Sequence, residues 1–346
     1  PPPPLFFFLM LRRPQRSTPL YSSAAADVYK RQGSYPYPLP VILGHESAGV
    51  VEAVGSDVNY VKKGDHVITC LSAFCGHCEY CLTGQMSLCQ EPELQRKGDE
   101  TPRLAQEGTP IAQFLNLSSF AEYMLVHEHA VAKIREDMPL DRAALIGCGV
   151  TTGVGAVIHT AAVEPGSTVA VIGCGGVGLS CINGAEIAGA SRIIAVDTLA
   201  SKLELARKFG ATDVVNAADN DPVEAVRELT GGGVHYAFEA IGLKVTTEQA
   251  FKMIRAGGCA TVIGMIPVGT MVEIHGPEFL REKKLQGSNM GSNRFRVDMP
   301  RFVEFYLAGK LHLDDMISSH IKLEDVNDAF AQLETGEVAR NVIMFE

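Results

Sequence analysis

Val169-Ala170-Val171-Ile172-Gly173-Cys174-Gly175-Gly176-Val177-Gly178 is the stretch that decides the fold. Four apolar residues read as a strand buried on both faces. The spaced glycines then turn it into a helix expected from Gly178 to Ala188. Working outward, Ile193–Asp197 reads as the next strand and Ala200–Phe209 as the next helix. Val214-Val215, Val234–Glu239 and Gly258–Gly264 continue the strands. Apolar strands alternating with helices predict a doubly wound parallel sheet.

The glycine string also carries chemistry. G-x-G-x-x-G is weak alone, but here it follows a strand, opens a helix and precedes an acidic residue, Asp197, 19 positions after Gly178. That is the context a Rossmann dinucleotide site requires. Gly173 makes the tight turn, and Gly175 lets backbone approach a pyrophosphate. Gly178 lets helix and strand pack closely, and the helix N-terminus supplies partial positive charge. Gly176 and Val177 complete the candidate cofactor loop. Asp197 can accept from both ribose hydroxyls and would repel a 2′-phosphate, which favours NAD over NADP. The competing reading is a glycine turn in a nucleotide-free α/β protein.

Upstream of this region the texture is different. From Leu39 to about Val131, short β-like runs such as Ala48–Val54, Asp65–Ile68 and Phe120–Val126 are broken by glycines, which points to a small barrel or curled sheet. Gln90–Gln113 reads as an exposed connection. Leu140–His159 starts as a helix and is expected to break at Gly147, Gly149 and Gly153. The tail is expected to hold one helix, about Val297–Ala308, and a closing strand, Asn341–Phe345.

Cys75, Cys78, Cys81 and Cys89 fall within fifteen residues. Four thiolates so spaced can wrap a structural Zn²⁺ tetrahedrally, with Gly76 and Gly84 permitting the turns. Disulfides and an iron–sulfur cluster are the competing readings. The total of nine cysteines is odd and fits a reducing, cytoplasmic compartment.

The 346 residues favour two domains, and 46% hydrophobic with 20% charged residues is ordinary for a soluble enzyme. A net charge of −10 argues against nucleic acid or an anionic membrane as partner. No apolar run was expected to reach the ~20 residues that span a bilayer. Residues 1–32 stand apart, with four opening prolines, no initiator methionine and no periodicity. They resemble translated adapter sequence, and they are expected to be non-native or disordered and to form no packed element.

Gly44-His45-Glu46-Ser47-Ala48-Gly49, the cysteine quartet, Gly147-Cys148-Gly149-Val150-Thr151-Thr152-Gly153 and the dinucleotide fingerprint occur in that order. Together they resemble the zinc alcohol dehydrogenases of the medium-chain superfamily, in the branch that includes the glutathione-dependent formaldehyde dehydrogenases. The resemblance covers about residues 33 to 346. It implies a GroES-like β-barrel catalytic domain at 33–149, a Rossmann NAD-binding domain at 150–289, and residues 290–346 completing the catalytic domain. It implies His45 and Cys148 as catalytic-zinc ligands, Glu46 as a carboxylate able to coordinate transiently, and the quartet as structural-zinc ligands. Thr152 and Val177 match positions packing on nicotinamide, Lys202 joins Asp197 at the adenosine ribose, and Arg340 matches a pyrophosphate contact. The family's first catalytic cysteine would fall near Ala24, where there is none, so the catalytic zinc site is expected to be incomplete. The implied activity is hydride transfer between a primary alcohol or aldehyde, possibly S-hydroxymethylglutathione or an aromatic alcohol, and NAD, in a homodimer or homotetramer. Two other readings stand beside it: a catalytically impaired zinc- and NAD-binding protein, and a reductase of activated double bonds.

Overall fold

In a computed structural model of the chain, residues 18–21, 38–90, 94, 102–335 and 338–345 are described. The chain divides into two units, and each is best followed along the sequence. The first comprises residues 1–151, 293–335 and 340–346; the second comprises 152–292 and 336–339.

The first unit opens with β1 (Thr18–Tyr21), β2 (Val41–Ile42), β3 (Glu46–Val50) and β4 (His66–Thr69). The short helix α1 (Glu79–Leu82) lies inside the cysteine-rich segment. Then come β5 (Leu104–Gln106), β6 (Thr109–Gln113) and β7 (Val131–Ile134). β1 overturns the expectation that residues 1–32 hold no packed element. It pairs antiparallel with the C-terminal strand, Thr18 opposite Phe345, and with β3, Leu20 opposite Ser47. The open backbone edges of its two neighbours create this strand, which its own sequence pattern does not announce. The rest of residues 1–32 lies outside the described residues. Two other readings are corrected. Phe120–Val126 is not a strand, although Met124 and Val126 are buried. The connection before Gln113 contains the β5–β6 hairpin, with β6 also paired to β2.

Helix α2 (Leu140–Thr160) does not break at its glycines. It widens instead into π-type turns at Ile146–Val150 and Ala156–Thr160. By length and composition it could cross a bilayer, which corrects the reading of the apolar runs. Yet 83% of its most apolar window is buried inside the protein, as in a core helix.

The second unit follows. β8 (Thr168–Ile172), α3 (Gly176–Ile187), β9 (Arg192–Asp197), α4 (Ala200–Lys208) and β10 (Asp213–Asn216) form its first half. α5 (Pro222–Thr230), β11 (Val234–Glu239), α6 (Lys244–Met253), β12 (Ile254–Val262) and β13 (Lys284–Gly287) form the second. The six strands lie in the order β10-β9-β8-β11-β12-β13, all parallel. This is the doubly wound Rossmann order, with its switch point between β8 and β11. Ile172 pairs with both Val196 and Glu239, so three strands end at one level. Buried Ala170, Ile194, Val226, Phe251 and Ala260 belong to one core cluster.

The tail holds two helices where one was expected, α7 (Phe295–Leu307) and α8 (Val326–Thr335). Strand β14 (Ile317–Ile321) pairs parallel with β15 (Arg340–Phe345). Residues of the tail thereby complete the first unit's mixed sheet, β14-β15-β1-β3-β4-β7. Its core gathers Val51, Val67, Leu117, Val131 and Ile343.

Candidate functional sites

The first unit carries two clusters that can hold a metal. In one, Cys75, Cys78, Cys81 and Cys89 have their sulfur atoms within 4.8 Å of one another. Cys78 Sγ lies 3.5 Å from Cys81 Sγ and 3.9 Å from Cys89 Sγ, and Cys75 Sγ lies 3.8 Å from Cys81 Sγ. A disulfide needs about 2 Å. Tetrahedral sulfurs each ~2.3 Å from one zinc are spaced ~3.8 Å apart, so the quartet fits that ion. Backbone amides prepare it: His77 and Cys78 donate to Cys75 Sγ, and the Cys75 amide donates to Cys89 Sγ. Burial opposes ionisation of Cys75, but those amides outweigh it and hold its thiol down at about 7. Burial pushes Cys81 up to about 12, its sulfur neighbours adding to the rise. Four crowded thiols cannot all ionise without a cation among them.

The second cluster is His45, Glu46 and Cys148, all buried, with ligand atoms again within 4.8 Å of one another. His45 and Glu46 sit at the start of β3; Cys148 comes from the π-type turn of α2. The flanking glycines bring the helix this close. A Cβ on Gly147 would stand 3.0 Å from the Thr69 carbonyl, and one on Gly149 would stand 2.9 Å from Arg340 Nη2. The Gly149 amide donates to Glu46 Oε1 at 2.8 Å. Among the described residues Glu46 Oε2 has no hydrogen-bond partner, and it lies 3.6 Å from Arg340 Nε. Arg340, read as a pyrophosphate contact, is thus placed beside Glu46, itself 6% exposed. An imidazole, a thiol and a carboxylate gathered in a buried site are a donor set suited to zinc. The Ala24 position lies outside the described residues.

Cys70 was missed by the sequence reading. It is buried and close enough to Cys148 to feel its charge; burial, chiefly, pushes its thiol up to about 12, so it stays protonated. Its lone position, outside any recognised spacing, offered no signal.

The second unit carries the dinucleotide candidates. Gly173 (φ +93°) turns the chain out of β8, and Gly175 caps α3. A Cβ on Gly178 would lie 1.7 Å from the Gly173 carbonyl oxygen, so only glycine fits. A Cβ on Gly175 would meet nothing, which leaves open space at the helix N-terminus for an anionic group. Asp197 is held by three amides: Thr198 and Leu199 donate to Oδ1, and Cys174 donates to Oδ2 at 2.7 Å. Gly176 starts α3, followed by half-buried Val177. Lys202 sits half-buried on α4, near the end of β9 in sequence. Thr152 is buried, and its hydroxyl meets Met290 Sδ at 3.4 Å. The candidates on β8, β9 and α3 therefore gather at the carboxyl ends of the strands, where such folds bind dinucleotides.

Comparison with known proteins identifies the family. Residues 21–136 match the alcohol dehydrogenase GroES-like domain family, and residues 176–307 match the zinc-binding dehydrogenase family. The chain is 38% identical over 329 residues to alcohol dehydrogenase 1 of Trifolium repens, covering 92% of this chain and 87% of that one. It is 40% identical over 327 residues to S-(hydroxymethyl)glutathione dehydrogenase of Photobacterium damsela subsp. piscicida, covering 92% and 89%. The crystal structure of benzyl alcohol dehydrogenase from Acinetobacter calcoaceticus superposes with a TM-score of 0.86 at 33% identity, over 96% of this chain and 93% of that one.

Proposed function

The chain belongs to the zinc-dependent alcohol dehydrogenases of the medium-chain superfamily, and from that membership we propose which of its residues do the chemistry. The activity is NAD-linked interconversion of an alcohol and its carbonyl compound. The observation that carries the residue assignment is the buried meeting of His45, Glu46 and Cys148. Zinc held there would supply Lewis acidity toward an alcohol oxygen, and bound NAD would supply the hydride acceptor.

His45 and Cys148 would hold the metal, an imidazole and a thiolate being ligands that zinc takes. Glu46 is a reserve donor. Gly149 fixes its Oε1, leaving Oε2 to face either the metal or Arg340, whose charge balances it. Cys75, Cys78, Cys81 and Cys89 hold a second, structural zinc. Asp197 and Lys202 bind the adenosine ribose, the Gly173–Gly178 loop cradles the pyrophosphate with Arg340 contributing, and Thr152 and Val177 support the nicotinamide.

The substrate we infer is a primary alcohol, either aromatic or S-hydroxymethylglutathione, as the names of the relatives above suggest for those proteins. A homodimer or homotetramer is the expected assembly, to be checked by mass in solution. None of the nine cysteines is in a disulfide, which favours a reducing cytoplasm.

The test combines metal analysis with NADH formation on ethanol, benzyl alcohol and S-hydroxymethylglutathione. Turnover should require NAD, and His45→Ala should abolish it while the quartet keeps its zinc. A chain that binds zinc and NADH but oxidises nothing on a broad alcohol panel would overturn the assignment.

A further inference from the structure

The fingerprint loop does not stand alone. Its Gly173 lies against Ile241, in the loop that follows β11; a Cβ on Gly173 would sit 2.5 Å from Ile241 Cγ1. That second loop lies in turn against a third, after β12. A Cβ on Gly242 (φ +94°) would stand 2.6 Å from the Met265 carbonyl oxygen, and one on Gly264 would stand 2.1 Å from the Gly242 nitrogen. Three strand-end loops are thus packed together, the first against the Ile241 side chain and the second and third through their backbones.

One buried carboxylate organises this contact. Glu239, the last residue of β11, is 0% exposed. Its Oε1 accepts from the Ile241 amide at 2.9 Å, the Gly242 amide at 2.7 Å and the Thr246 hydroxyl at 2.8 Å. Its backbone carbonyl accepts from the Ile263 and Gly264 amides. Its Oε2, which has no hydrogen-bond partner among the described residues, would lie 2.6 Å from a Cβ on Gly264. A carboxylate at this depth is costly without a function for its hydrogen bonds. Here they close a turn that backbone bonds leave open.

We propose that Glu239 is a positioning residue for the dinucleotide: through Ile241 and Gly242 it sets the loop against which the Gly173 turn is built. The proposal rests on the NAD assignment above. Glu239 acts by holding two amides and a hydroxyl in the one arrangement that leaves the fingerprint turn its shape. Removing the acceptor strands the buried Gly242 amide and the part-buried Ile241 amide and frees the turn to rearrange.

The experiment measures NADH binding to the zinc-loaded protein by fluorescence titration, together with KM for NAD, kcat and zinc content. Glu239→Gln keeps a carbonyl oxygen for the same three donors and should bind within about threefold of wild type. Glu239→Ala should weaken NADH binding about tenfold or more and raise KM for NAD in step, while kcat at saturating NAD and zinc content hold. Thr246→Val, which removes one of the three donors, should weaken binding about threefold and add nothing to Glu239→Ala. NADH binding by Glu239→Ala equal to wild type overturns the proposal, as does a parallel fall in kcat, zinc and binding, which marks general structural loss. Should Glu239→Ala fail to fold, wild-type binding by Thr246→Val overturns it alone. A wild-type protein that binds no NADH overturns the cofactor assignment and this proposal together.

Discussion

Asp197 and Gly178 show what a single position decides. Asp197 is pinned by three amides, so its carboxylate is held in one orientation. Asp197→Ala should weaken NAD binding about tenfold and let NADP compete, read as the ratio of the two dissociation constants. An unchanged ratio would remove Asp197 from the recognition of the ribose. At Gly178 the constraint is steric, and an added methyl meets the Gly173 carbonyl. Gly178→Ala should cost about 3 kcal/mol of unfolding free energy and abolish NADH binding. Both residues were legible in the sequence, because each acts within a local strand–turn–helix whose spacing is written consecutively. The pairing of Glu46 with Arg340 was not legible. Nearly three hundred positions separate the two, and no short pattern carries such a contact.

Whole elements add constraints of their own. The cysteine lobe has one short α-helix and one 3-10 turn, neither with a buried residue, so its order depends on the ion its thiolates can hold. Cys81→Ser should remove one zinc per chain and expose the Cys75–Cys89 segment to proteolysis; full zinc content in the variant would refute the quartet. Strands β9 and β10 are tied by a two-pronged ion pair, with Arg192 Nε and Nη2 donating to the Asp213 carboxylate at 2.8 and 2.7 Å. Arg192, above all, holds the Asp213 pKa at about 2, below its ordinary 3.8. A depressed carboxylate stabilises the fold above its unfolded pKa and loses that contribution as pH falls through the folded one. Partial exposure limits the benefit to ~1 kcal/mol. Asp213→Asn should therefore lower stability by that amount at pH 7, with the difference from wild type shrinking between about pH 4 and 2 in denaturant titrations. Helix α2 teaches a different lesson. Its glycines read as breaks, since glycine disfavours helix interiors. In the fold they are points of close approach, and tertiary contact outweighs propensity.

Across the whole molecule, cofactor binding should appear as stability. NADH at a hundredfold excess over its dissociation constant should stabilise the protein by ~2.7 kcal/mol, seen as a rise in melting temperature that AMP reproduces only in part. A melting temperature indifferent to NADH would contradict the dinucleotide site. The sequence by itself determined the doubly wound sheet, its order of elements and the cysteine quartet. Those features rest on periodicity, consecutive glycines and close cysteine spacing, which are local properties of a chain. Only the tertiary structure decided that Thr18–Tyr21 is a strand, that the tail completes the first unit, and that Cys148 meets His45 and Glu46 in a buried site. Each of these depends on an edge or surface supplied by distant residues. A strand takes its place because two neighbours present unpaired amides and carbonyls, and a ligand set closes because glycines let a helix touch a strand.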